Sequence, residues 1–368
     1  MRTKHFNIYS MTPKMILSSL FLQRTPVADE LLESLTRFYY LKKTIKHPDL
    51  ETARFRNRLN RRATQWYRFF RRKMSGIDLL VVWNGFSIPV GAAVAAAREC
   101  GVKTLFCENG TLPGTLSMDP AGVNFNSSLT GKPPEFFRRI TMDDAKVKDL
   151  LRTPLQQRPL RNASGIQKGF HDHLSLPERY VLFAMQVHDD TQVLLFSPHL
   201  QSMEAAVTYV AEQVKDYNAR SGDHVRLVVK EHPSDYGRVD YSSLRASFPD
   251  IYFLLTTPVN EALQDALAVL TLNSSVGVEA LIRFRPVITL GEAFYNVPGV
   301  VRHVEPKEDL SKALSETIDQ PIDRDLVTRF LYFLRYEYLV PVSVKSAARQ
   351  TIAPAVQRVM DAVDGKLS

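Results

Sequence analysis

From Ile77 onward the sequence alternates short apolar runs with stretches of helical periodicity, and that alternation leaves few folds open. Residues 78–83 read DLLVVW, a nearly continuous apolar run of the kind buried on both faces of a parallel sheet. Pro89 opens a helix through Ala97, because proline is tolerated in a first turn, and Gly101 closes it. Lys103 to Cys107 is the next strand, so these pieces make one β-α-β unit. The second half repeats the pattern, with strands at Tyr180–Met185, Val225–Lys230, Ile251–Leu255, Val269–Leu272 and Pro286–Leu290. Helical stretches at Ser202–Tyr217, Asn260–Ala266 and Val276–Ile282 separate them. Strands joined through helices pair in parallel.

Two such sets predict two α/β domains, for which 368 residues is a comfortable length. Residues 1–165 form the expected N-terminal domain, 166–340 the C-terminal one, and 341–368 a helical return segment. The stretch from Thr130 to Pro177, with its proline pairs, reads as an irregular interdomain crossing. Two Rossmann-like parallel-sheet domains facing across a cleft constitute the GT-B architecture, which is the expected fold class. A fold alone does not specify a function.

Composition excludes several classes. No run of about 18 uncharged apolar residues is present, so a transmembrane helix is not expected. The apolar piece from Met15 to Leu22 is followed by no small-residue cleavage site, and no signal peptide is read there. Two cysteines, Cys100 and Cys107, make neither a disulfide framework nor a four-ligand zinc site, which suits a reduced, cytoplasmic protein.

The net charge of +8 belongs to one segment. Thr52 to Lys73 carries nine basic residues and no acidic one, and the remaining charges nearly balance. Phe55, Leu59, Ala63, Trp66 and Phe70 recur there three or four apart, so the segment is a basic amphipathic helix. Such a helix either lies in an anionic membrane surface or packs its aromatic stripe on its own domain with the arginines solvated. No zinc-finger, RNP or helix-turn-helix signature accompanies the charge, so nucleic acid is not an expected partner.

Four constellations follow predicted strands, where ligands gather in open α/β sheets. Glu108-Asn109-Gly110 places a carboxylate in a turn, able to act as acid, base or nucleophile. Residues 186–192, QVHDDTQ, put His188, Asp189, Asp190 and Gln192 in one loop. Adjacent side chains in an extended loop diverge, so one of the two aspartates is expected to enter the site. Further carboxylates that would complete a metal pair are missing. Lys230-Glu231-His232-Pro233 fixes an imidazole beside a rigid turn. Asn273-Ser274-Ser275 begins a helix whose free N–H groups and hydroxyls form an anion site, with Glu279 one turn in, placed to accept from ribose hydroxyls. Each motif alone also has an ordinary reading as a turn or a helix cap; their common position at strand ends gives them weight.

Together these stretches resemble the bacterial capsule polysaccharide synthesis and export family, including the β-Kdo glycosyltransferases of capsule and O-antigen assembly. The matching pieces are Glu108-Asn-Gly with Asp119-Pro-x-Gly-Val-Asn124, Gln186-Val-x-x-Asp190-x-Gln192, His232-Pro233, and Asn273-Ser-Ser-Val-Gly-x-Glu279-Ala280 with Pro286-Val and Gly291. They span roughly residues 77–300; residues 1–75 match no motif. The resemblance implies transfer of Kdo, or a related ulosonic acid, from a CMP-activated donor, with the nucleotide on the C-terminal domain and a lipid-linked or oligosaccharide acceptor on the N-terminal one. It implies Asp190 as nucleophile, with retained configuration, and Glu108 as the second carboxylate. Gln192, Lys230, His188, Asn109 and Gly110 are further substrate-binding candidates. No metal or other cofactor is expected, because His232, Ser274 and Ser275 would neutralise the single phosphate of the departing CMP. The enzyme would then work in the cytoplasm, peripheral to the inner face of the membrane. The competing reading is a non-catalytic polysaccharide assembly or export component.

Overall fold

A computed structural model describes residues 27–154, 175–305, 309–342 and 352–367. The chain divides into two compact units. One holds the described residues of 27–109, 116–128 and 352–367, and the other residues 110–115 and 129–342.

The first unit is built on a three-stranded sheet of β1 (Leu79–Trp83), β2 (Lys103–Asn109) and β3 (Leu116–Asp119). β1 and β2 run parallel and β3 returns antiparallel. Helices α1 (Asp29–Lys46), α2 (Ala53–Lys73) and α3 (Ile88–Glu99) supply most of the unit's apolar core. The expectation that β1 is buried on both faces is corrected. Among the described residues it is an edge strand, and Val81 and Trp83 are 46% and 45% exposed. The helix Ala353–Asp364 belongs to this unit, where Lys103 Nζ donates to Val363 O at 2.6 Å.

The basic helix forms as read. Thr52 caps it, its hydroxyl accepting from Phe55 N at 3.1 Å. Its aromatic stripe faces inward: Trp66 is 1% exposed, Phe70 is stacked on it, and Leu59 and Ala63 share the cluster with Ile88, Ala92 and Ala96 of α3. Burying Trp66 and Phe70 stabilises the unit by roughly 2–3 kcal/mol each. Those rings are unavailable to a membrane. Arg54, Arg58, Arg61, Arg62, Arg71 and Arg72 line the outer face, where Arg71 pairs with Glu99 at 2.6 Å.

The second unit contains helices α4 (Pro134–Arg138), α5 (Asp144–Leu151), α6 (Thr191–Phe196), α7 (Met203–Ser221), α8 (Ser242–Ser247), α9 (Val259–Leu263), α10 (Ser275–Ile282), α11 (Leu310–Ser315) and α12 (Arg324–Phe333). Its strands are β4 (Tyr180–Ala184), β5 (Arg226–Lys230), β6 (Tyr252–Leu254), β7 (Ala268–Thr271), β8 (Val287–Thr289) and β9 (Arg302–His303). They form one parallel sheet in the order β6-β5-β4-β7-β8-β9. Counted within the unit, that is the doubly wound order 3-2-1-4-5-6. Every residue of β4 and β7 is buried, as the apolar runs require of strands covered on both faces. The strand order reverses between β4 and β7, which places a topological switch point beyond their carboxyl ends.

The stretch read as an irregular crossing contains α4 and α5, and residues 155–174 of it lie outside the described residues. Phe137 and Leu150 are fully buried in the same cluster as Leu112 and as Phe330 of α12, so these helices pack within the second unit. Residues 129–154 accordingly fall in the second unit, together with residues 110–115. Among the described residues no helix is long and apolar enough to cross a membrane.

Candidate active site

Three of the four constellations meet at the switch point of the second unit, and hydrogen bonds between their loops hold them there. Gln186, just beyond β4, donates through Nε2 to Asn273 Oδ1 at 2.9 Å and accepts from Asn273 N at 3.0 Å. This reciprocal amide pair joins the β4 loop to the β7 loop. Asn273 Nδ2 also lies within hydrogen-bond distance of Gln192 O, Phe196 O and Glu292 O, each at 3.1 Å. Asn273, expected to touch substrate, instead has its amide built into the frame. Gly291 is needed beside it, since a Cβ there would stand 2.7 Å from Ser197 Oγ.

Asp189 and Asp190 diverge. Asp189 is 3% exposed and receives Arg238 Nη2 on both carboxylate oxygens, at 3.0 and 2.9 Å. Asp190 is half-buried and caps α6: its Oδ1 accepts from Gln192 N at 2.9 Å and from Thr191 Oγ1 at 3.2 Å. Its Oδ2 accepts no hydrogen bond from the described residues. One oxygen is therefore fixed by the cap while the other is uncommitted among the described residues. Beside it, Gln192 Nε2 is a buried donor with no partner among the described residues. A buried N–H without an acceptor costs about 1–3 kcal/mol, a cost that a bound acceptor would remove.

The β5 loop reaches the same place. Asp235 Oδ2 accepts from His188 N at 2.9 Å, and Oδ1 lies 2.8 Å from His188 Nδ1. Tyr241 donates its hydroxyl to Asp235 Oδ2 at 3.1 Å; burial, then the charge of Asp235, pushes that phenol far up from its ordinary range. His232 accepts from Ser234 N at 3.1 Å through Nδ1, so its ring proton sits on Nε2, which is a donor. Lys230 is differently placed. Its ammonium donates to Leu255 O at 2.7 Å and Glu231 O at 3.2 Å, at the ends of the neighbouring strands. Glu231 is held by both sides of Arg245, at 2.7 and 2.9 Å.

Ser274 caps α10, its hydroxyl oxygen accepting from Val276 N at 3.2 Å while its hydrogen stays available to donate. Ser275 is the first helical residue, and Glu279 lies buried in the following turn. Tyr295, fully buried, donates to Ser274 O, and burial raises its phenol well above the ordinary value. A Cβ on Gly277 would lie 2.6 Å from the Tyr295 hydroxyl, which explains the glycine in a helix.

Glu108 belongs to the other unit, at the carboxyl end of β2. Its Oε2 accepts from Asn84 Nδ2 at 2.7 Å, and its Oε1 from Asn109 N at 2.8 Å and Asn109 Nδ2 at 3.2 Å. Gly110, a binding candidate on sequence, has a steric reason instead, since a Cβ would stand 2.0 Å from Thr115 Oγ1. Asp119 is likewise architectural: it is 1% exposed and accepts from Ala121 N, Gly122 N, Ser128 N and Ser128 Oγ. Part of the shared motif thus shapes turns.

Asn84, Asp235, Arg238 and Tyr295 were not read from the sequence. Asn84-Gly85 directly after β1 is a turn signal at a strand's carboxyl end, and Asp235 lies three residues past His232, so both had a local cue. Arg238 and Tyr295 had none.

Residues 160–317 match the model of a family described as capsule polysaccharide biosynthesis protein. Over that segment the chain is similar to this family. The match takes in the β4, β5 and β7 loops, where His188, Asp190, His232, Ser274 and Ser275 lie. Protein FixF of Sinorhizobium fredii is 29% identical over 321 residues, covering 84% of this chain and 74% of FixF. The Escherichia coli capsule polysaccharide export protein KpsS is 30% identical over 132 residues, covering 34% of this chain and a third of KpsS. Among solved structures, Thermosulfurimonas dismutans KpsC, a β-Kdo 2,7 transferase, is similar at 18% identity and a TM-score of 0.46, covering 78% of this chain and 86% of that one.

Proposed function

We propose that this protein is a glycosyltransferase of capsule or O-antigen synthesis that moves Kdo, or a related ulosonic acid, from a CMP-activated donor to a glycan or glycolipid acceptor. The observation that carries this reading is the half-committed carboxylate of Asp190, on a loop bonded to the loops that carry His232, Ser274 and Ser275. The N–H groups and hydroxyls at the start of α10 suit a phosphate, and His232 Nε2 suits a second donor to it. One phosphate met in this way needs no metal. Glu279 in the same helix suits the ribose.

In this mechanism Asp190 Oδ2 attacks the anomeric carbon, and the bond to CMP breaks with its electron pair on the phosphate. Oxocarbenium character develops at the ring, which carboxylates stabilise. The acceptor hydroxyl then attacks the same carbon, losing its proton to a general base and displacing Asp190, so two inversions retain configuration; on the first unit, Glu108 is the carboxylate suited to an acceptor hydroxyl. Asn84 keeps Glu108 oriented. For the sugar's own carboxylate, Lys230 has its ammonium engaged with backbone carbonyls, whereas His188, with Nδ1 on Asp235, has Nε2 to offer. Gln192 Nε2 offers a further donor to the sugar.

The exposed arginines of α2 suit a peripheral contact with an anionic membrane surface, each charge near it contributing about 1 kcal/mol. With the aromatic stripe buried, that contact would be electrostatic alone.

Incubation with CMP-Kdo and a panel of acceptors, read by CMP release, tests the function. Transfer by the parent and near-complete loss in Asp190→Asn is expected. No transfer with any CMP-ulosonic acid would favour the non-catalytic assembly or export component.

A further inference from the structure

Two cross-links join the loop that carries Asp190 to the loop that carries His232, and they run in opposite electrostatic senses. On the β4 loop the sequence is imidazole then carboxylate, His188-Asp189; on the β5 loop it is carboxylate then guanidinium, Asp235 and Arg238. His188 meets Asp235 at 2.8 Å and Asp189 meets Arg238 at 2.9 Å. Arg238 Nη1 also stands 3.7 Å from Asp235 Oδ1, and His188 Nε2 4.0 Å from Asp189 Oδ2, so the four groups close a ring. The side chains of Asp189 and Asp235 are 4% and 2% exposed, and carboxylates so buried persist only with partners. The backbone continues the linkage, because Asp235 N donates to His232 O at 3.0 Å and Asp190 N to Val187 O at 3.0 Å.

We propose that Arg238 and Asp235 are positioning residues for the transfer reaction: they hold Asp190 in register with His232, so that a donor seated on the β5 and β7 loops presents its anomeric carbon to the aspartate. Neither needs to touch the substrate. Asp189, the immediate neighbour of Asp190, is the handle through which Arg238 acts. Without the guanidinium, the buried Asp189 carboxylate turns toward water and takes Asp190 with it. With Asp189 neutral as well, no charge remains to drive that movement. This inference rests on the transferase reading for its kinetic consequence, though not for its structural one.

The test uses the full chain as Arg238→Gln, Asp235→Asn and the double variant Asp189→Asn with Arg238→Gln. With CMP-Kdo as donor, Arg238→Gln and Asp235→Asn should each lower kcat tenfold or more, about 1.4 kcal/mol of barrier, while the KM for donor stays within about threefold. The double variant should recover most of the kcat lost by Arg238→Gln, a rescue that a catalytic Asp189 would not permit. Hydrogen exchange should rise across residues 187–192 in Arg238→Gln and return toward the parent in the double variant. Unchanged kcat in both single variants, or a double variant as impaired as Arg238→Gln, overturns the proposal. If the parent transfers nothing from CMP-Kdo, the functional reading fails on its own, and the exchange measurements still decide whether the clamp exists.

Discussion

Replacing Gly277 by alanine tests how tightly the start of α10 is built. The new Cβ would lie 2.6 Å from the Tyr295 hydroxyl and 3.0 Å from two of its ring carbons. Tyr295 is fully buried, so the ring has no open side to move toward. Overpacking of this kind costs about 1–3 kcal/mol. If the ring shifts, the hydrogen bond to Ser274 O is lost as well, at about 1–3 kcal/mol for a buried group left unpaired. Alanine's better helix propensity returns about 1 kcal/mol. The net is about 3 kcal/mol. In a unit of this size that lowers the Tm by about 6–12 °C, read by thermal denaturation. Adding Tyr295→Phe removes the 2.6 Å contact, so the double variant should be less destabilised than the sum of the two single ones. A Gly277→Ala protein melting within about 2 °C of the parent would refute the reasoning.

Other outcomes follow from the same structure. Burial, then the nearby Glu108 charge, pushes the Cys107 thiol up to about 11, whereas Cys100 is exposed. At pH 8 one thiol should therefore react rapidly with an aromatic disulfide reagent and the other only slowly until the chain unfolds; two equally fast thiols would contradict the buried site. Asp223 is held below the ordinary carboxylate range, first by its hydrogen bond from Arg179 and then by the His224 backbone N–H. A depressed carboxylate stabilises the fold above its unfolded value, near 3.8, and loses that contribution as pH falls through the lower native value. Asp223→Asn should be less stable than the parent at pH 7, with the gap narrowing as pH falls below the unfolded carboxylate value in urea titrations; a constant gap would remove the linkage. Binding to anionic but not neutral vesicles should be salt-sensitive and lost when Arg61, Arg62, Arg71 and Arg72 become Gln. Equal sedimentation of parent and variant would leave α2 a solvated face.

Much of this was legible in the sequence, for identifiable reasons. β4, β5 and β7 read correctly because a strand buried on both faces must be a continuous apolar run, and such runs are rare by chance. The same rule misread β1, whose apolar residues are those of an edge strand. Helices α4 and α5 escaped because their short, proline-flanked sequences have too little periodicity, and their place comes from packing Phe137 against Phe330. The stripe of α2 was visible, but a helical wheel does not say whether lipid or α3 covers it. At the site, loops were found because strand ends are legible. Asp235 and Arg238 lie 47 and 49 residues from their partners, so nothing local in the sequence announces the pairing. Asn273 and Gly110 show the converse: they look like binding residues, and their contacts are architectural.

In the proposed reaction the switch-point crevice of the second unit receives the cytidine nucleotide. Calorimetric titration of CMP into the parent, His232→Ala and Ser275→Ala tests it most directly. The parent should bind, and each variant should bind about tenfold to a hundredfold more weakly, as expected for loss of a charge-assisted contact. Equal CMP affinity in all three proteins would contradict it.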